Sequence, residues 1–303
     1  MRIGLAIPTY NGGSLFRQCL KALSQQSLHI DEKLVVDSSS TDDTRELAKE
    51  FGFNVITIRK DEFDHGGTRN FAMSKLDVDI VIFLTQDSVL ADCNALSSLI
   101  KNFEKQHVSA AYGRQLPHHD ANLLAISTRL QNYPNESYVT NLNSDYPKGF
   151  KKAFISNSFA AYVKKDVMAC GGFPKKLILG EDSYIAAKLL LNNKSVAYCS
   201  NSRVHHSHNY TIKQEFKRYF DIGVFHQTQN WMLKELGSIE GEGLKFALIQ
   251  IKFTLNNKKL NETIRSVFTT IAKFIGYKAG KKHQYLPLIV RKRFAMHKGY
   301  FGS

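Results

Sequence analysis

An α/β fold built on a mainly parallel sheet is what this sequence predicts, and three observations carry the prediction. Short apolar runs alternate with helix-patterned segments through the first hundred residues. The runs are near-continuously apolar, as strands covered on both faces are. Each is followed by a polar stretch such as Pro8-Thr9-Tyr10-Asn11 or Asp37-Ser38-Ser39-Ser40, at the edge where a parallel sheet binds its ligands.

The elements follow in order. Arg2–Ile7, Lys33–Val36, Phe53–Ile58 and Asp79–Leu84 read as strands. Ser14–Ser24 sets Leu15, Cys19, Leu20 and Leu23 at helical spacing, and Thr41–Phe51 opens on Thr-Asp-Asp, a helix start, with Thr44, Leu47, Ala48 and Phe51 behind it. Gly66-Gly67 precede a helix expected over Phe71–Leu76. Ser109–Tyr112, Phe159–Val163 and Val196–Cys199 are further strands, and Gly180-Glu181-Asp182 opens a helix carrying Ile185, Ala186, Leu189 and Leu190. From about residue 211 the pattern is helical.

The 303 residues include 41 Lys plus Arg against 27 Asp plus Glu, a formal charge of +14. That balance suits nucleic acid, an anionic membrane or acidic substrates. Its distribution narrows the choice, because residues 241–303 hold 13 basic side chains against Glu242 and Glu262. There the charge adjoins apolar segments at 244–255 and 264–275, the second placing Ile264, Val267, Phe268, Ile271 and Ile275 on one helical stripe. Such a tail suits an anionic membrane surface. The other reading is a helical subdomain packed on the core or on a second subunit. No nucleic-acid-binding module is visible, so a nucleic acid partner is not expected. Cys19, Cys93, Cys170 and Cys199 lie too far apart in sequence for a zinc or redox motif and read as reduced core thiols. The first apolar run is too short for a signal peptide, and no uncharged apolar run nears the roughly 18 residues of a spanning helix. A cytoplasmic protein, peripheral on the inner membrane, is the expectation.

The chemistry-bearing residues cluster after the strands. Asp37 ends a strand before a polar turn and is placed to accept from a nucleobase N–H or ribose hydroxyls, whereas Asp42 and Asp43 read as helix caps. Asp87 follows the run Ile80–Leu84 and can hold a divalent cation, Mg²⁺ or Mn²⁺, or simply end a strand. His65-Gly66-Gly67-Thr68-Arg69-Asn70 can receive an anion at a helix start, with Arg69 as a forked donor. Glu181 and Asp182 can supply a hydroxyl-orienting partner and a general base, or cap a helix. In His205-His206-Ser207-His208, alternation along an extended segment lets at most His206 and His208 share a metal, and with no further ligands offered by the scattered cysteines a structural zinc is not expected.

In this order the motifs resemble those of the inverting family 2 glycosyltransferases with the A-type glycosyltransferase (GT-A) fold, over about residues 2–226. Asp64 to Asn70 with Leu84-Thr85-Gln86-Asp87, and His206-Ser207-His208-Asn209-Tyr210, more narrowly resemble bacterial rhamnosyltransferases of surface-polysaccharide assembly. The resemblance implies a nucleotide-sugar half at about 1–115, an acceptor half at about 116–226 and a helical basic extension at 227–303. It implies dTDP-L-rhamnose as donor, or another UDP- or GDP-sugar, and a saccharide or polyprenyl-linked acceptor. Pro8, Thr9, Tyr10 and Asp37 would hold the nucleoside, with Arg69 near the base or phosphates. Asp87 and His206 would hold the cation, Asp182 would act as base and Glu181 would contact the acceptor. Thr85 stands where the family usually has the first acid of its D-x-D motif. A threonine supplies no charge, so strict metal dependence is not implied.

Overall fold

The computed structural model describes residues 1–238 and 241–302. The chain begins β1 (Ile3–Thr9), α1 (Gly13–Ser24), β2 (Glu32–Asp37), α2 (Thr44–Glu50), β3 (Asn54–Thr57), α3 (His65–Lys75), β4 (Ile80–Leu84). It continues β5 (Val89–Leu90), α4 (Ala95–Ile100), β6 (Val108–Leu116), α5 (Leu123–Asn132), β7 (Tyr138–Thr140), β8 (Phe159–Val163), α6 (Lys164–Ala169), α7 (Glu181–Leu191), β9 (Ser195–His205). The helices α8 (Ile212–Thr228), α9 (Asn230–Leu236), α10 (Glu242–Asn256), α11 (Leu260–Lys281) and α12 (Leu288–Phe294) follow.

The strands form one sheet in the order β3-β2-β1-β4-β8-β6-β9-β5, with β7 also against β9. β1 pairs in parallel with β2 and β4, and β2 with β3, which sets Thr9 beside Asp37. β8 runs antiparallel between β4 and β6, and β9 lies parallel to β6. Continuous apolar runs report burial on both faces but not strand direction, so β8 gave no sign of its reversal.

Alternation along each strand divides the core in two. Leu5 and Ile7 of β1 with Ile80, Ile82 and Leu84 of β4 meet Phe16, Leu20, Leu47, Leu96 and Leu99 from α1, α2 and α4. On the other face Ala6, Val81 and Phe83 meet Met73, Ile185, Leu189, Phe220 and Val224 from α3, α7 and α8. The fold thereby holds the ends of β1, β2 and β4 rigidly beside one another.

Two expectations change in detail. The helix expected over Phe71–Leu76 begins at His65, because the Asp64 carboxylate accepts the Gly67 N–H at 2.6 Å and caps it. Gly66 lies within that first turn, where an added Cβ would stand 1.9 Å from the Pro174 carbonyl oxygen. The glycine thus allows helix and backbone to touch. Of the four cysteines only Cys19 and Cys199 are buried; Cys93 is exposed and Cys170 partly so.

The tail packs by the face its pattern did not advertise. α11 lies on α8 through Gly276 and Gly280, whose added Cβ atoms would approach the Phe216 and Phe220 carbonyl oxygens to 2.3 and 2.0 Å. Ser266, Thr269 and Lys273 share that inward face, and Lys273 pairs with Glu215 at 3.4 Å. The apolar stripe Ile264, Val267, Phe268, Ile271 and Ile275 therefore points outward, with Phe268 57% and Phe274 63% exposed. The chain then returns to α8, where the buried Asp221 carboxylate accepts the N–H groups of Met296 and His297. No described helix is long and apolar enough to cross a membrane.

Candidate active site

The strand ends are stitched together before any ligand is considered. Thr9 Oγ1 donates to Asp37 Oδ1 at 3.0 Å, and the Ser40 N–H donates to Asp37 Oδ2 at 2.8 Å. Asp37 is fully buried, so its carboxylate shapes the turn through Thr41 instead of lying open to a base. Asn11 Oδ1 accepts the Thr41 N–H, tying the β1 loop to that turn. The Tyr10 N–H donates to Gln86 Oε1 at 2.8 Å and Gln86 Nε2 donates back to the Tyr10 carbonyl at 3.0 Å, which fixes the β4 loop against β1 after Pro8. Tyr10 itself is half-exposed, with Lys60 donating to its hydroxyl at 2.7 Å. Asp42, not Asp43, makes the cap-like contact, accepting the Thr44 N–H at 3.2 Å.

A cleft of about 480 Å³ at this sheet edge gathers Arg69, Asp87, Glu181, Asp182 and His206. Pro8, Thr9, Tyr10 and Asp37 do not line it and sit on the adjoining strand ends. On one wall Asp87 Oδ2 lies 3.5 Å from His206 Nε2 and 3.9 Å from His208 Nε2. Ligand atoms of all three fall within 4.8 Å of one another. His208 joins the acid and histidine expected from sequence, and the i, i+2 spacing explains how. His205 faces away, bonding to the Pro117 carbonyl and stacking on His119.

Electrostatics favour a cation here. Gln115 Nε2 is spent on Ser156 Oγ, so Gln115 Oε1 accepts from His206 Nδ1 at 3.0 Å. That leaves His206 Nε2 facing the Asp87 carboxylate, an approach that needs a proton or a cation between them. Burial alone would raise the Asp87 pKa, but the hydrogen bond and charge of His206 hold it well below the carboxylate range. Burial and the neighbouring His206 push His208 down to about 4, which keeps its ring neutral and able to ligate. Two imidazoles and one carboxylate together form a donor set that could hold a divalent cation. Thr85, in place of the family's first acid, is bonded to Ser88 Oγ at 2.9 Å.

The start of α7 also lines the cleft. Gly180 takes a left-handed conformation, φ 81°, where an added Cβ would stand 2.8 Å from the Phe225 ring. This turn aims the two acids apart. Glu181 points inward, pairs with Arg69 Nη1 at 3.0 Å and accepts from Asn157 Nδ2 at 3.1 Å. Arg69 also donates to the His65 carbonyl at 2.8 Å, so its charge is committed to Glu181 rather than free for a phosphate. Asp182 lies half-buried, accepting the Ser183 N–H at 2.7 Å. Burial first, and the Glu181 charge second, raise its pKa well above the carboxylate range. A carboxylate so poised accepts a proton near neutral pH. Arg129, Arg218 and His297 also border the cleft, and none carried a motif; each comes from a helix or tail segment that only tertiary packing brings there.

Sheet and cleft together define the A-type glycosyltransferase class. The chain belongs to glycosyl transferase family 2, matching it over residues 5–170. It is 45% identical to the O-antigen chain rhamnosyltransferase RfbN of Salmonella typhimurium, over 100% of this chain and 97% of that protein. It is 44% identical to the O-antigen chain rhamnosyltransferase WbaN of Salmonella anatum, over 99% and 95%. In fold it resembles the mannosyltransferase PcManGT of Pyrobaculum calidifontis, solved with GDP-Man and Mn²⁺, with a TM-score of 0.60, 17% identity and coverage of 91% and 87%.

Proposed function

We propose that this protein is an inverting rhamnosyltransferase. It moves L-rhamnose from dTDP-L-rhamnose onto a saccharide, carried on a polyprenyl lipid, in bacterial surface-polysaccharide assembly. The observation that carries the reaction class is a single cleft lined both by a carboxylate of raised proton affinity, Asp182, and by the cation-ligand cluster Asp87, His206 and His208. The sugar follows from the rhamnosyltransferases that match the chain over its whole length.

Transfer is a single in-line displacement. Asp182 accepts the proton of the acceptor hydroxyl as that oxygen bonds to the anomeric carbon. The bond from that carbon to the diphosphate oxygen breaks, and its electron pair leaves with dTDP. Attack from the opposite face turns a β-linked donor into an α-rhamnoside. Asp87, His206 and His208 would hold a divalent cation, which when bound would supply positive charge for the leaving diphosphate. Glu181 and Arg69 pair at the start of α7, and the Glu181 charge adds to burial in raising the Asp182 pKa. Pro8, Thr9, Tyr10 and Asp37 shape the loops that receive the nucleoside.

The reading extends to an anionic membrane surface on the cytoplasmic side. An outward apolar stripe on α11 lies in a segment with 13 basic residues against two acidic ones, each Lys or Arg near such a surface contributing about 1 kcal/mol. A second copy meeting this face would oppose like charge. Incubation with dTDP-L-rhamnose, UDP-sugars and GDP-sugars in Mn²⁺ tests the proposal. Release of free dTDP from the rhamnose donor alone supports it; release from a UDP- or GDP-sugar instead would replace the donor, and release of pyrophosphate would remove the reaction class.

A further inference from the structure

Two arginines border the catalytic cleft. Arg129 projects from α5 and Arg218 from α8, and both line the catalytic cleft and a neighbouring one of about 560 Å³. Arg129 Nε is buried without a hydrogen-bond partner. The Arg129 guanidinium lies 5.9 Å from the Tyr133 ring centre, and that of Arg218 lies 5.6 Å from Tyr210. Among the described residues neither forms an ion pair with an acid, although Arg69, Lys273 and Arg203 all do. Burial first, and the charge of Arg218 with it, press the Arg129 pKa down against the opposing pull of Tyr133, Tyr210 and Asp87.

Like charges that share a part-buried cleft are costly unless an anion meets them. The planar forks of two arginines match the oxygens of phosphate groups. We propose that Arg129 and Arg218 form a diphosphate-binding site at the junction of the two clefts.

Its surroundings give the site a direction. One side opens to Asp182 and to the Asp87, His206 and His208 cluster. The other opens to Phe246 and Ile249 of α10, whose neighbour Leu248 is exposed. A hydroxyl acceptor whose sugar is joined by a diphosphate to a hydrocarbon would meet the base, the arginines and the apolar wall in that order. The leaving nucleotide diphosphate offers the same chemistry from the donor side. Both sources rest on the glycosyl-transfer reading; the anion site does not.

Calorimetric titration with inorganic pyrophosphate in EDTA isolates the site from any cation. Wild type should bind, Arg129→Gln and Arg218→Gln should each weaken binding at least about tenfold, and Arg218→Lys should weaken it less, keeping charge but losing the fork. Melting temperatures near that of wild type establish that the variants fold. Equal pyrophosphate affinity in wild type and the double Gln variant would overturn the proposal. Titration with dTDP in Mn²⁺ then separates the sources. A matching loss of dTDP affinity assigns the donor. Intact dTDP affinity, with a raised KM for a diphosphate-linked acceptor but not for the same saccharide without it, assigns the acceptor. Should no nucleotide sugar turn over, the pyrophosphate titration still decides the anion site.

Discussion

Replacing Arg69 with methionine removes the partner of a carboxylate that has nowhere else to go. The Arg69 and Glu181 side chains are 5% and 8% exposed and meet at 3.0 Å. Breaking such a buried pair from one side costs about 3–5 kcal/mol, because the remaining charge stays buried. An unfolding entropy of about 2.1 cal/mol/K per residue converts this, over 303 residues, to a fall of about 5–8 °C in melting temperature. Arg69→Met/Glu181→Gln removes both charges, and the glutamine oxygen can still accept from Asn157 Nδ2. It should recover most of the loss. Glu181→Gln alone carries a second signature. The Glu181 charge raises the Asp182 pKa, so removing it lowers that pKa; a base works when deprotonated, so the acid limb of the kcat/KM profile should move to lower pH. Differential scanning calorimetry and a pH–rate series measure both effects. A single Arg69→Met variant melting within about 1 °C of wild type, or an acid limb unmoved by Glu181→Gln, would refute the reasoning.

Other consequences follow from the same geometry. His208→Ala should lower Mn²⁺ affinity, read by calorimetry, at least about tenfold, since one of three clustered ligands is gone. Phe268→Asp with Phe274→Asp should abolish flotation with anionic vesicles while leaving the melting temperature unchanged, because both rings are exposed. Burial pushes the Asp221 pKa up to about 7, so the folded protein keeps a proton there that the unfolded chain releases near pH 4. Stability should therefore decline as pH rises from about 4 to 7, and Asp221→Ala should flatten that slope in denaturant titrations.

How far the sequence spoke depended on whether a feature was local. The strands β1 to β4 and the polar turns after them were readable because each is a run of adjacent residues with a period or a stop signal. That His206 and His208 lie on one side was readable for the same reason, since alternation along an extended chain fixes which rings share a side, but only the fold brings His208 to Asp87. The reversal of β8 was not, because burial on both faces erases direction. Arg69 looked like a phosphate ligand until the fold set Glu181 beside it, a contact spanning more than a hundred residues. The α11 stripe was correctly seen as apolar and amphipathic, but its orientation depended on Gly276 and Gly280. Their missing side chains let α8 approach the opposite face. Asp87, Glu181 and Asp182 looked like helix caps or strand-end acids one at a time; the fold gathers all three into one cleft.

Substitution of Asp182 by asparagine tests the central claim most directly. The variant keeps the shape and the Ser183 contact but cannot accept the acceptor's proton. Rhamnosyl transfer from dTDP-L-rhamnose should fall by about 10²- to 10⁴-fold, the contribution of a general base, with dTDP affinity in Mn²⁺ within about twofold of wild type. Transfer at the wild-type rate, or an equal collapse of nucleotide affinity, would contradict it.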